Sequence, residues 1–126
     1  MKAQILIVED DANIAKLISI RLANVDYATI WAKDGGEALT AARRSMPDLI
    51  LLDVTLPVLD GFQVLKRLKT DLATKHIPVI MLTARSDGPS VIAGIDSGAE
   101  AYLVKPIHFT DLIRRIQNCL APDDNS

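Results

Sequence analysis

The chain alternates short apolar runs with segments whose apolar residues recur every three or four positions. In most of the runs the apolar residues follow one another without interruption, which is typical of parallel strands covered on both faces. The predicted strands are residues 4–8, 27–32, 48–52, 78–82 and 101–104. The segments that follow them predict five helices, at residues 11–24, 35–45, 63–69, 88–97 and 109–120.

This alternation of strands and helices predicts an α/β fold with a parallel sheet between two layers of helices. Because crossovers between parallel strands are right-handed, few topologies remain. We expect a flavodoxin-like, doubly wound (βα)5 fold with strand order 2-1-3-4-5. Asp11 can cap the first helix, and Pro57 with Asp60-Gly61 marks a turn after the third strand. In the first helix, the residues at helical spacing are Ile14, Leu17, Ile18 and Leu22.

Length and composition narrow the class of protein. The 126 residues suffice for one domain, which we expect to span residues 1–121 with a polar tail at 122–126. A net charge of −2 gives no reason to expect direct nucleic acid contact. No apolar run approaches the roughly 18 residues of a membrane span, and the N-terminus lacks a secretory signal. Cys119 is the only cysteine, so we expect a cytoplasmic protein without an internal disulfide.

Polar residues stand just past the ends of four predicted strands. Glu9 and Asp10 follow the first strand, Asp53 ends the third, Thr83 the fourth and Lys105 the fifth. In a doubly wound sheet, ligands bind outside the carboxyl ends of the strands, where the strand order reverses. In the order 2-1-3-4-5 that point lies between the first and third strands. The carboxylates of the first and third strands are therefore expected to converge there.

These groups suit metal-assisted phosphoryl transfer. Neighbouring carboxylates raise one another's pKa, and a hard cation such as Mg²⁺, which prefers oxygen ligands, relieves the repulsion. A carboxylate can also attack phosphorus and form an acyl phosphate. The Lys105 ammonium could neutralise the charge on the transferred group, and the Thr83 hydroxyl could bind one of its oxygens.

Each of these residues also has an ordinary explanation. An Asp at a strand end is usually a helix cap or turn former, a Thr there is usually part of the strand, and a Lys before Pro is usually a solvated charge. Four strand ends out of five carry a suitable group, however, and this combination favours a functional site.

Four segments carry a resemblance to a known family. They read ILIVEDD at residues 5–11, LLDVTLPVLDG at 51–61, PVIMLTA at 78–84 and YLVKP at 102–106. Together they resemble the receiver domains of bacterial two-component response regulators, and the resemblance extends from residue 4 to about residue 120.

The resemblance implies a role for each matching residue at the predicted site. Asp53 would be the phospho-acceptor. Mg²⁺ would be bound directly by Asp10, through water by Glu9, and also by Asp53 and the backbone carbonyl of Thr55. The domain would catalyse only its own phosphorylation and hydrolysis, so we do not expect an enzyme with an external product.

The resemblance also implies a switch and partners. Lys105 would pair with the phosphoryl group, and its peptide bond to Pro106 would be cis. Thr83 and Tyr102 would be the switch pair. A sensor histidine kinase or a histidine phosphotransfer protein would donate the phosphoryl group. The surface of the fourth predicted helix, fifth strand and fifth helix would then control an output domain or a partner protein.

One position departs from the family pattern. Dimeric DNA-binding regulators usually carry an acidic pair before the aromatic switch residue, whereas this chain has Glu100-Ala101. Because Ala101 removes one partner of the charged dimer contacts, we expect a monomer or a weak dimer.

The sequence leaves three alternative functions open, and it does not decide whether the domain stands alone. Dehalogenase-like phosphatases also use a strand-end Asp nucleophile, but they carry a second Asp two residues later, where this chain has Thr55. A nucleotide or flavin binder would need glycines in the first loop, which is acidic and has none. An interaction module that works without phosphorylation is a third alternative. The domain could stand alone or be part of a larger regulator.

Overall fold

The computed structural model describes residues 2–84 and 98–121. Within these ranges the chain forms five strands and four helices. The strands are β1 Gln4–Val8, β2 Ala28–Ala32, β3 Leu49–Asp53, β4 Val79–Thr83 and β5 Ala101–Val104. The helices are α1 Ala12–Ala23, α2 Gly35–Ser45, α3 Gly61–Thr70 and α4 Phe109–Leu120. The helix predicted at residues 88–97 and the tail predicted at 122–126 lie outside the described residues, so α4 is the fifth helix of the sequence prediction.

All five strands are parallel and form one sheet in the order β2-β1-β3-β4-β5. The predicted flavodoxin-like topology is therefore confirmed. β1 lies between β2 and β3, so the strand order reverses beside its carboxyl end, where Glu9 and Asp10 follow. No helix within the described residues has the length and apolar character needed to cross a membrane.

The sheet separates two apolar clusters. On one face, residues of β1, β3 and β4 pack with α2 and α3, which contribute Ala38, Ala42, Val64, Leu65 and Leu68. On the other face the sheet packs with α1 and α4, which contribute Ala15, Ile18, Leu22, Leu112 and Ile116. Every residue of β3 and β4 is buried, as the uninterrupted apolar pattern predicts for strands covered on both sides.

The first helix buries fewer of its patterned residues than the spacing indicates. Ile18 and Leu22 are buried together with Ala15, whereas Ile14 and Leu17 are exposed. The helix carries apolar residues around more than one face, so their spacing alone does not specify which face contacts the sheet. Its start is as predicted, because the Asp11 carboxylate accepts hydrogen bonds from the backbone N–H groups of Asn13 and Ile14.

Several elements, including β4 and α3, begin one or two residues away from their predicted starts. Pro78 has no N–H to donate, and β4 begins after it at Val79. The third helix begins at Gly61, two residues earlier than predicted, because Asp60 and Gln63 form a reciprocal capping box. The absence of a side chain at Gly61 matters here: a Cβ at this position would overlap the carbonyl oxygen of Asp53. The start of α3 is therefore packed directly against the end of β3.

Candidate functional site

The polar residues that follow the strands meet at one rim of the sheet. One carboxylate oxygen from each of Glu9, Asp10 and Asp53 lies within 4.8 Å of the others. The Lys105 ammonium reaches the same point from the end of β5. The sheet order brings these groups together, because β1 and β3 are neighbours and β4 and β5 continue the same edge.

Asp53 is the last residue of β3 and is only 3% exposed. Its Oδ2 accepts a hydrogen bond from Lys105 Nζ at 2.7 Å. Its Oδ1 accepts a hydrogen bond from the backbone N–H of Thr55 at 3.1 Å. Both carboxylate oxygens are thus oriented by donors, and the ammonium neutralises the charge of this buried group.

Lys105 is oriented by the backbone as well as by its charge. Its N–H donates to the carbonyl oxygen of Thr83 at 2.6 Å, and the Lys105–Pro106 peptide bond is cis. Its Nζ lies 3.8 Å from Glu9 Oε2. Partial burial lowers the pKa of Lys105, but the hydrogen bond and charge of Asp53, together with the nearby acids, hold that pKa above its usual value. The ammonium form is therefore favoured.

Glu9 is almost completely buried, at 1% exposure. Its Oε1 accepts a hydrogen bond from the backbone N–H of Asp11 at 3.2 Å. Its Oε2 is buried and has no hydrogen-bond partner among the described residues. Burial above all, and then the adjacent Asp53, raise the pKa of Glu9 to about 8. Without a cation beyond Lys105, Glu9 is therefore expected to retain its proton near neutral pH.

This donor set fits a hard divalent cation. With all groups ionised, the three carboxylates of Glu9, Asp10 and Asp53 carry three negative charges against the single positive charge of Lys105. The exposed Asp10 offers its carboxylate from the solvent side, while Glu9 Oε2 is a buried oxygen that lacks a donor. Oxygen ligands, excess negative charge and access from solvent are the conditions that Mg²⁺ prefers.

The turn that carries Glu9 and Asp10 is fixed by β2, through a residue that the sequence analysis did not single out. The Glu9 N–H donates to the carbonyl oxygen of Ala32 at 3.1 Å, which extends the ladder between β1 and β2 by one step. The Trp31 indole Nε1–H donates to the carbonyl oxygen of Glu9 at 2.7 Å. This contact is difficult to predict from the sequence, because it joins a side chain to a main-chain atom 22 positions away.

Thr83 and Tyr102 lie on the neighbouring strands β4 and β5. Met81 is the cross-strand partner of Tyr102, and Thr83 follows Met81 by two positions, so Thr83 and Tyr102 belong to the same face of the sheet. The Thr83 hydroxyl is buried and has no hydrogen-bond partner among the described residues. The Tyr102 ring packs against the apolar cluster on the α2–α3 face, and its hydroxyl is buried.

The structure thus places four of the predicted site residues in one cluster and leaves the others beside it. Glu9, Asp10, Asp53 and Lys105 lie together. Thr55 contacts Asp53 through its N–H, while the role of its carbonyl oxygen remains a prediction. The switch roles of Thr83 and Tyr102 also remain predictions.

Comparisons with known proteins indicate the same family as the sequence motifs do. A family model described as the response regulator receiver domain matches residues 5–117. The DNA-binding response regulator MtrA of Mycolicibacterium paratuberculosis is 38% identical over 125 residues, which cover 99% of this chain and 54% of MtrA. The chain therefore spans about half the length of this curated relative.

Solved structures resemble the chain over nearly its whole length. The chemotaxis response regulator CheY4 of Vibrio cholerae has a TM-score of 0.88 at 32% identity, with 95% of this chain and 100% of that chain covered. The receiver domain of sensor histidine kinase PA1611 from Pseudomonas aeruginosa has a TM-score of 0.88 at 30% identity, with 97% and 100% covered. The latter structure has a magnesium ion coordinated in its active-site cleft.

Proposed function

The chain belongs to the response regulator receiver family, and on this premise we propose that Asp53 accepts a phosphoryl group in a Mg²⁺-dependent reaction that switches the surface of the domain. The observation that carries the proposal is the pairing of a buried strand-end carboxylate with an ammonium group, 2.7 Å apart, beside two further carboxylates. A structural ion pair alone would need no such excess of acid. Family membership leaves no ground for the phosphatase and flavin-binder alternatives.

Mg²⁺ would be held by Asp10 and Asp53, by Glu9 through water, and by the backbone carbonyl of Thr55. When bound, it would neutralise the carboxylates and the negative charge that builds up on the phosphoryl group during transfer. The burial of Glu9 and Asp53 supports this role, because charges excluded from water interact more strongly with a cation. The magnesium ion in the receiver domain of PA1611 supports the same assignment.

The proposed reaction transfers a phosphoryl group from an imidazole nitrogen of the donor to a carboxylate oxygen of Asp53. A carboxylate oxygen of Asp53 would form a bond to phosphorus while the bond between phosphorus and a donor imidazole nitrogen breaks. The electron pair of that bond stays on the imidazole, which is released as the leaving group, and Asp53 becomes an acyl phosphate. Lys105, which pairs with Asp53 in this structure, would then pair with a phosphoryl oxygen.

The switch would follow from contacts that only the phosphorylated site can make. The buried Thr83 hydroxyl, which has no partner among the described residues, would donate to a phosphoryl oxygen. In this structure the Tyr102 ring packs inward, so phosphorylation would act by increasing the share of molecules with this arrangement. Phosphorylation can shift that population only as far as the two arrangements differ in their interaction with the phosphoryl group.

The partners follow from this chemistry and from the family. In the cytoplasm, a sensor histidine kinase or a histidine phosphotransfer protein would supply the phosphoryl group to this domain. The switched surface would consist of the predicted helix at residues 88–97, β5 and α4. That surface would control an output domain or a separate partner, and residues 1–121 would form the receiver. The domain would catalyse only its own phosphorylation and hydrolysis, without an external product.

The proposal can be tested by intact mass spectrometry after incubation with Mg²⁺ and acetyl phosphate. We expect one added phosphoryl group in the wild-type protein and none in Asp53→Asn or in the presence of a chelator. Asp26→Asn is the matched control, because Asp26 is an exposed acid with a left-handed backbone that asparagine also tolerates. A folded wild-type protein that binds Mg²⁺ but gains no mass would leave the interaction module as the better explanation.

A further inference from the structure

The turn that carries the two acidic ligands from β1 is fixed at three points. Glu9 is held at its N–H by Ala32 and at its carbonyl oxygen by the Trp31 indole. Asp11 is held by its own capping bonds to the first turn of α1. Asp10 lies between these fixed residues with an exposed side chain. The position of its carboxylate therefore depends on the backbone on either side.

Among these contacts, the hydrogen bond from the indole is made by a side chain that its surroundings hold only in part. Trp31 is 48% exposed on β2, which is an edge strand. It lines two surface cavities, of about 540 Å³ beside α2 and about 520 Å³ beside α1. Because about half of the residue is exposed and a cavity adjoins it beside α1, apolar packing constrains the ring only partly. The short hydrogen bond to Glu9 is the directional contact that holds it.

From this arrangement we propose that Trp31 is a positioning residue for the metal site, acting through its indole N–H on the backbone of Glu9. The inference rests on the proposed function in that it takes Glu9 and Asp10 as Mg²⁺ ligands. Hydrogen-bond partners that orient metal ligands generally contribute to metal affinity. Here the contribution passes through the main chain: the bond to the Glu9 carbonyl fixes the peptide plane that leads directly into Asp10.

The test exploits the fact that Trp31 is the only tryptophan in the chain. Expression in a tryptophan auxotroph supplied with β-(3-benzothienyl)alanine replaces this one indole with a ring of nearly the same shape that has sulfur in place of the N–H. Mg²⁺ affinity of this protein and of Trp31→Phe would be measured by titration calorimetry. We expect binding about 10-fold weaker than in the wild type, at the lower end of the usual effect of such contacts.

Ile20→Ala is the matched control. Ile20 is exposed and lines the same cavity beside α1 as Trp31, so the substitution removes apolar contact near the ring and leaves the hydrogen bond intact. We expect its Mg²⁺ affinity to equal that of the wild type. Because the analogue preserves the shape of the side chain, it keeps the test valid even if Trp31→Phe folds poorly.

A second measurement separates positioning from a general loss of structure. At saturating Mg²⁺, the analogue should be phosphorylated by acetyl phosphate at the wild-type rate, because only the metal concentration needed has changed. Unchanged Mg²⁺ affinity in the folded analogue would overturn the inference, and so would an equal loss in Ile20→Ala. If the wild type binds Mg²⁺ but is not phosphorylated, the proposed function fails while the effect of Trp31 on metal affinity still stands.

Discussion

At the scale of single residues, Val58 has an unusual backbone for its type. It lies in the loop between β3 and α3 with a φ of 72° and is 83% exposed. A left-handed backbone is unfavourable for side chains branched at Cβ, and exposure leaves Val58 little packing to offset the strain. The loop between Asp53 and the start of α3 therefore stores strain next to the site.

Replacing Val58 with asparagine should relieve this strain. Asn accepts the left-handed region more readily, so we expect the free energy of unfolding to rise by about 1 kcal/mol, measured by urea denaturation. Val25→Asn is the control, because Val25 is exposed but does not have a positive φ. A gain no larger than that of the control would show that the backbone of Val58 is not strained in solution.

The sequence predicted which polar side chains meet at the rim of the sheet better than it predicted the contacts that hold them there. Glu9, Asp10, Asp53 and Lys105 could be placed together because parallel strands present their carboxyl ends at one edge, and topology alone brings these ends into contact. The Trp31 contact could not be predicted in this way, since its acceptor is a main-chain oxygen and any residue at position 9 would offer one. Side chain to backbone contacts of this kind leave no periodic signal.

At the scale of elements, Lys69 joins three parts of the fold. Its Nζ donates to the carbonyl oxygens of Ile77 at 2.7 Å and Lys75 at 3.2 Å. Its aliphatic carbons approach Gly98, which has a φ of 98° and stands just before β5. The side chain thus ties the end of α3 to the loop before β4. Partial burial lowers the pKa of Lys69, and the charge of Glu100 opposes that shift.

Lys69→Met should keep most of the aliphatic contact and lose both hydrogen bonds. We expect a loss of roughly 1–3 kcal/mol in the free energy of unfolding, because the Ile77 carbonyl oxygen is partly buried and would lose a charged donor. Lys66→Met on the same helix is the control, since Lys66 is exposed. Equal stability of the two variants in thermal denaturation would contradict the expectation.

Helix ends and buried helix faces show what a sequence pattern can and cannot predict. The cap at Asp11 was predictable because a short acidic residue precedes an apolar helical pattern. The end of α2 at Ser45 also lies where it was predicted, although no glycine marks it: Met46 takes the left-handed conformation there, a position where glycine is the usual signal. In α1, apolar residues face both the sheet and solvent, so only packing against β1 and β2 decides which of them are buried.

At the scale of the whole molecule, the carboxylate cluster makes the free energy of unfolding depend on pH and on divalent metal. In the absence of divalent metal, folding raises the pKa of Glu9 from its ordinary value of 4.5 to about 8. Between these pH values the folded protein therefore holds a proton that the unfolded chain releases. Stability is then expected to fall as pH rises through this window, by up to about 1.4 kcal/mol per pH unit from this group.

Glu9→Gln tests this linkage against the wild type in chelator. We expect the free energy of unfolding of the variant to decline less between pH 5 and pH 8, because Gln does not titrate. Saturating Mg²⁺ should stabilise the wild type, by about 2.7 kcal/mol when its concentration is 100 times the dissociation constant, and should stabilise the variant less. Parallel pH profiles for the two metal-free proteins would show that Glu9 is ionised throughout.

The order of the site residues along the chain also bears on how the fold is completed. Glu9, Asp10 and Asp53 all precede β4, whereas the ammonium of Lys105 comes only after β5, the last strand. A chain folded as far as β4 would bury two carboxylates without their cation, an arrangement that is costly unless a proton or a divalent ion relieves it. Partly assembled forms are thereby penalised, and pairing of the last strand completes the sheet and brings the Lys105 ammonium to the carboxylates in one cooperative step.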